Sequence, residues 1–163
     1  MIVSARPAVD GDVSRLVSLY RDMELEQTVR KPIWALTDGL DEPFDVSLFG
    51  AMESADSFVF VGEIGGVTVG FLWATIEPML GRAHGSMIGR MRLIFTEAEA
   101  RAVGVGHAML MEAMEVLRAR GIHLLDAPVG PGQRAAKNFF ESHGFAARSI
   151  IMHTAQPTGG EDV

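Results

Sequence analysis

The sequence predicts an α/β (α+β) fold, and three observations carry that reading. Apolar residues recur at three- and four-residue spacings in two stretches, 13–23 and 106–120, as they do along one face of a helix. Two runs rich in β-branched and aromatic residues, 58–64 and 67–76, flank Gly65-Gly66, the pattern of a hairpin. In the second half, glycine and proline punctuate alternating helical and extended patterns, and neither an internal repeat nor a linker breaks the chain. Residues 1–155 are therefore predicted to form one domain, followed by a polar tail at 156–163.

Each element follows from its local pattern. A short apolar start at 2–5 leads through Pro7 and Asp10-Gly11-Asp12 into a helix whose buried face is Val13, Leu16, Val17, Tyr20 and Met23, with Asp10 or Asp12 placed to cap it. Residues 28–45, with Pro32, Gly39 and Pro43, read as a loop. A shorter helix is predicted over about 45–54, burying Val46, Phe49 and Met52. After the hairpin and a loop at 78–85, residues 87–95 read as a strand with Arg90 and Arg92 on one face and Met91, Leu93 and Phe95 on the other. The helix at 106–120 presents Leu110, Ala113, Met114 and Leu117 together, and Gly121 suits the left-handed residue that ends it. A strand at 122–126, a Pro/Gly loop at 128–132, a helix at 133–143 stopped by Gly144, and a closing strand at 149–154 complete the prediction.

Composition bounds the function. The chain has 163 residues, 48% of them apolar, which is enough to bury a core and excludes intrinsic disorder. With no cysteine there is no disulfide, no thiolate metal cluster and no acyl-enzyme on sulfur. The amino terminus lacks a secretory pattern and no stretch reaches the roughly 18–20 apolar residues of a membrane span, so the reading is a soluble, cytoplasmic protein. The 14 basic and 21 acidic side chains give a net charge of −7. All of it lies in residues 1–85, with 6 basic against 13 acidic, while residues 86–163 balance at 8 and 8. Such a surface is a poor partner for nucleic acid and tolerates or attracts cationic small molecules, although surplus carboxylates also serve solubility alone. His123, His143 and His153 are too scattered for a metal site, and none is expected.

The most informative segment is Arg101-Ala102-Val103-Gly104-Val105-Gly106-His107-Ala108, between a predicted strand and a predicted helix. A glycine-spaced turn entering a helix points several backbone N–H groups one way at the positive end of the helix dipole, which makes a cradle for pyrophosphate; it is equally the form of a tight structural turn. It is not a P-loop, which needs Gly-Lys-Ser/Thr where this chain has Gly106-His107-Ala108. It also lacks the third glycine of the dinucleotide fingerprint, being Met109 there.

Arg101-x-x-Gly104-x-Gly106 resembles the pyrophosphate-binding motif of the GNAT family of N-acetyltransferases. Ala136-Lys137-Asn138-Phe139-Phe140-Glu141-Ser142-His143-Gly144-Phe145 is similar to that family's closing motif, and the order of elements between them agrees over nearly the whole chain. The resemblance implies a single-domain acetyltransferase fold with a mixed, mostly antiparallel central sheet flanked by helices. It also implies acetyl-coenzyme A as co-substrate and a small-molecule amine as acceptor. Carried over by position, it assigns backbone contacts to the pantetheine arm to Ile94 and Thr96, and pyrophosphate donors to Arg101, Ala102, Val103, Gly104, Val105, Gly106 and His107. Further contacts to the cofactor fall to Gln133, Lys137 and Phe140. Lys137 reads equally as a solvated helix residue.

Two departures bear on catalysis. The leaving-group acid of the family is a Tyr at the position of Phe140, which has no proton to donate, and the only tyrosine, Tyr20, has core spacing on the first helix. The strand before the motif offers Arg90 and Arg92 where relatives often place a carboxylate, leaving Glu63, Glu77, His84 and Asp126 as candidate bases. No catalytic residue is assigned. Direct transfer to an amine is the first reading, and a catalytically silent module that binds acyl-coenzyme A or an amine is the alternative. Residues 149–154 serve either as a homodimer interface or as the sheet's last strand.

Overall fold

The hairpin around Gly65-Gly66 is the centre of the sheet. In a computed structural model, which describes residues 1–30, 39–79 and 86–159, strand β2 (Ser57–Ile64) turns into β3 (Val67–Pro78) through Gly65 and Gly66 at φ 58° and 81°. Two successive positive φ values match the right-handed twist of the flanking strands, and glycine adopts them without steric cost. Strand β1 (Val3–Pro7) pairs antiparallel with β2, β4 (Met87–Thr96) antiparallel with β3, and β5 (Leu124–Asp126) parallel with β4, giving the order β1-β2-β3-β4-β5. Helices α1 (Val13–Arg30), α2 (Phe44–Glu53) and α3 (Val105–Ala119) belong to the same compact unit, Met1–Gly130. A second unit, Pro131–Val163, contains α4 (Arg134–Ser142). The sheet is mixed, mostly antiparallel and flanked by helices, as expected.

The two faces of the sheet carry two cores. On one, Leu16, Leu19, Tyr20 and Met23 of α1 and Phe44, Leu48 and Ala51 of α2 pack with Val59, Val61, Phe71, Trp73 and Phe95. Burial raises the pKa of Tyr20, and its hydroxyl accepts the Leu40 N–H at 2.7 Å, so the lone tyrosine is a core residue. On the other face lies α3, with Met109, Leu110 and Ala113 fully buried. Glycines let it approach: a Cβ on Gly62 would stand 2.5 Å from Val105 Cγ1, and one on Gly89 would stand 2.8 Å from Leu117 Cδ1.

Four expectations change. Helix α2 buries Phe44, Leu48 and Ala51, while Val46 and Phe49 face outward and Met52 is half-buried. The helix is apolar nearly all round, so spacing allows two faces; the 4.5 Å edge contact between the Phe44 and Tyr20 rings marks the one taken. In β4, Met91 pairs with Ala74 but Leu93 with Trp73, so Met91 and Leu93 lie on opposite faces and Arg92 occupies a bulge. Leu93 and Phe95 thus share the face of Arg90 and Arg92. Residues 149–154 form no strand: Ile150, Ile151 and Met152 are more than 80% exposed, with no neighbouring strand described in their unit to complete a ladder. Asp12 does not cap by itself; its carboxylate accepts the Val9 N–H at 2.8 Å and ion-pairs with Arg6 at 2.7 Å, while Arg6 also reaches Glu63 at 2.8 Å. Parts of the predicted loops at 28–45 and 78–85, and the end of the polar tail, lie outside the described residues.

The Arg6 hydrogen bond lowers the Asp12 pKa against an opposing desolvation, with the Val9 N–H adding to the lowering. A carboxylate depressed in the folded state stabilises fully above its unfolded value and loses that contribution as pH falls through the folded one. Unfolding free energy measured in urea is therefore expected to hold from pH 7 to 5 and to fall below about pH 4. Asp12→Asn should flatten that slope; a variant with the wild-type slope would assign it elsewhere.

Candidate functional site

The segment between β4 and α3 is built from two left-handed residues. Ala102 has φ 62° and Gly104 φ 100°. The second costs glycine nothing, whereas the first is a conformation that alanine adopts rarely and that concentrates at binding loops. Alternation of this kind turns successive N–H groups toward one side as an anion-binding concavity. Gly104 is the N-cap of α3 and no side chain caps the helix; the first helical hydrogen bond runs from the Ala108 N–H to the Gly104 carbonyl at 2.9 Å. The N–H groups of Val105 and Gly106 lie ahead of that bond, at the positive end of a 15-residue helix. The residues present fit a pyrophosphate.

The cradle continues into β4. Pairing of β4 with β5 is confined to Ile88, Gly89 and Arg90, so past Arg90 no strand among the described residues covers the outer edge of β4. The Glu97 N–H donates to the Val69 carbonyl at 2.9 Å, which turns the backbone of Leu93, Phe95 and Glu97 toward β3. Ile94 and Thr96 consequently turn theirs toward the open edge, the positions expected to meet an extended amide chain. Thr96 offers its N–H, because its carbonyl accepts Arg101 Nε at 2.8 Å.

Arg101 braces the loop. Besides Thr96, its guanidinium holds both carboxylate oxygens of Glu26 on α1, at 2.8 and 2.9 Å, and lies 5.6 Å from the centre of the Phe95 ring. Its fork thus ties α1, β4 and the cradle together. Arg101→Lys has one donor group for these partners and is expected to weaken co-substrate binding about tenfold through loop disorder. Calorimetry checks this, and an unchanged affinity would show that the loop orders without the fork.

In the second unit, Gln133 is the N-cap of α4 and Lys137 pairs with Glu141 at 3.3 Å as a surface ion pair. Phe140 is 4% exposed, its ring against Phe139 and Phe145, so this side chain belongs to packing. Of the candidate bases, Glu63 is engaged by Arg6 and His84 lies outside the described residues. Glu77 accepts the Thr75 hydroxyl at 3.0 Å and stands 4.0 Å from Arg92. Asp126 is in register with Arg90 where β4 and β5 part. The structure therefore gathers Glu77, Arg90 and Arg92 on one sheet face and Asp126 beside them. The left-handed Ala102, the bulge at Arg92 and the stacking of Arg92 on Trp73 were not expected from sequence. No local signal marks them, since alanine and arginine ordinarily favour regular structure.

The fold that carries this turn and strand edge recurs in known proteins. The profile of the acetyltransferase (GNAT) family matches residues 16–145. The chain belongs to that family. A mycothiol acetyltransferase of Thermobispora bispora is 31% identical over 91 residues, which cover 56% of this chain and 30% of that protein. The chain thus matches about a third of that relative's length. The solved structure of a transcriptional regulator from Bacillus halodurans is 25% identical with a TM-score of 0.75, covering 94% of this chain and all of that one. A predicted acetyltransferase of Clostridium acetobutylicum, solved with acetyl-coenzyme A, has a TM-score of 0.70 at 16% identity, covering 94% and 96% of the two chains. Acetyl-coenzyme A is the co-substrate of the acetyltransferase family to which the chain belongs. None of its described helices is long and apolar enough to cross a membrane.

Proposed function

We propose that the protein transfers an acetyl group from acetyl-coenzyme A directly to an amine of a small-molecule acceptor. The observation that carries this reading is the continuity of an uncapped, left-handed cradle at α3 with the open edge of β4. The co-substrate supplies an acetyl thioester, and transfer to an amine releases a thiol. The N–H groups of Val105 and Gly106 are suited to hold the diphosphate, and Ile94 and Thr96 to align the arm as an added strand would be aligned. Backbone N–H donors polarise the carbonyl without giving up their protons, so positioning and polarisation are the protein's main contributions. Glu77, 4.0 Å from Arg92, and Asp126, in register with Arg90, are the carboxylates we propose to take the amine proton.

The alternative, a silent module that binds the same ligands, is favoured by one observation: Phe140 is buried and has no proton to donate. Calorimetry with acetyl-coenzyme A is expected to give a micromolar dissociation constant. Thiol release with a panel of amines should then show turnover. No binding at millimolar co-substrate overturns both readings, and binding without any turnover selects the silent module.

A further inference from the structure

Helix α1 grips the connection between β4 and α3 at both of its ends. At the first, Arg15 Nη2 meets a Glu97 carboxylate oxygen at 2.6 Å while Arg15 Nε donates to the Thr68 carbonyl of β3 at 3.0 Å. At the second, Glu26 holds Arg101 at 2.8 and 2.9 Å, and Arg101 Nε donates in turn to the Thr96 carbonyl. Between Glu97 and Arg101 lies a single 3-10 turn, Ala98–Ala100, with Ala100 buried. Arg15 and Glu26 are separated by about three helical turns, so they share one face of α1. The two pairs have opposite polarity: α1 supplies the cation to the first and the anion to the second. A shift that exchanged partners would set like charges together, so one alignment of α1 along the connection satisfies both. Arg15 stands in the first turn of α1, where the helix dipole disfavours a cation, so its place is set by Glu97 and Thr68 rather than by the helix. The connection leads directly into the left-handed Ala102, a conformation that persists where its surroundings over-determine it. The clamp fixes the chain up to the residue before it.

We infer that Arg15, Glu26 and Glu97 are positioning residues for the co-substrate: acting through Arg101 and Thr96, they hold the cradle in its binding shape before acetyl-coenzyme A arrives. This rests on placing the diphosphate at that cradle. Charge alone implies the reverse effect. Glu26 and Glu97 are anions close to a site for a polyanion, so their field opposes binding and removing either would strengthen it. Positioning makes the same removal weaken it.

The sign of the change is therefore the test. Glu26→Gln and Glu97→Gln are compared with wild type by calorimetry with acetyl-coenzyme A, well below each melting transition. Each is expected to raise the dissociation constant about three- to fivefold, as suits part-exposed pairs, with the melting temperature lowered by no more than about 3 °C. Arg15→Gln should match Glu97→Gln, and the double variant should lie close to either, because the same pair is lost in all three. Tighter or unchanged binding in the two Glu variants overturns the inference, as does a double variant whose losses add. A second readout needs no ligand: NMR order parameters of the Ala102, Val103 and Gly104 amides in the free protein should fall in both Glu variants, from about 0.85 toward about 0.6. Order parameters equal to wild type overturn the inference as well. Wild-type protein that does not bind acetyl-coenzyme A removes the placement of the diphosphate instead, and the order parameters then decide by themselves whether the clamp shapes the loop.

Discussion

Gly104→Glu is expected to abolish binding of acetyl-coenzyme A, raising the dissociation constant at least about a hundredfold, while the protein still folds. A Cβ at this position meets nothing within 4 Å, so the substitution causes no clash, but φ 100° strains any side chain by about 1–2 kcal/mol. The new carboxylate lies at the N-cap of α3, where a negative charge interacts favourably with the helix and offsets part of that strain. It thereby occupies the place proposed for the diphosphate and would repel one. Gly104→Lys separates the two effects, since it carries the same strain with the opposite charge and should lose far less affinity. Calorimetry gives the affinities and thermal melting the fold. Equal losses in the Glu and Lys variants would mean that backbone conformation, not charge, governs the site.

Gly70→Val is expected to destabilise the protein by about 3 kcal/mol. A Cβ on Gly70 would stand 2.7 Å from the Phe95 carbonyl oxygen and 3.1 Å from Thr96 Oγ1. The first is a backbone atom of the paired strand, so relief requires β4 to move, and with it the edge that Ile94 and Thr96 present. At Gly62 the nearest atoms belong to the side chains of Val105 and Met109, which can shift, so Gly62→Ala should cost less. Gly50, inside α2 with nothing within 4 Å of its Cβ, gives the opposite sign: Gly50→Ala should stabilise by about 0.5–1 kcal/mol. Urea unfolding measures all three, and a Gly70 variant as stable as wild type would show that β4 is not held in register there.

The diglycine turn, the helix ended by Gly121 and the glycine-spaced entry to α3 were legible because each is specified by residues adjacent in the chain. Gly65, Gly66, Gly104, Gly121 and Gly144 all have positive φ, where glycine alone is free of strain. The buried face of α2 was not legible, since Phe44, Val46, Leu48 and Phe49 are all apolar and only contact with Tyr20 selects among them. The face assigned to Leu93 failed for a related reason: strict alternation assumes an unbroken ladder, and the bulge at Arg92 shifts every later residue of β4 by one. An apolar run such as 149–154 has strand propensity, but a strand exists only with a neighbour to pair with.

Sequence by itself determined the helices, the central hairpin, the family resemblance and the cradle motif, because helical period, turn chemistry and glycine spacing are local properties of the chain. The tertiary structure alone decided that β4 and β5 part after Arg90, that Ala102 is left-handed, and that Arg92 lies on Trp73. Those features depend on the register between strands distant in sequence, and register is set by packing both faces of the sheet at once.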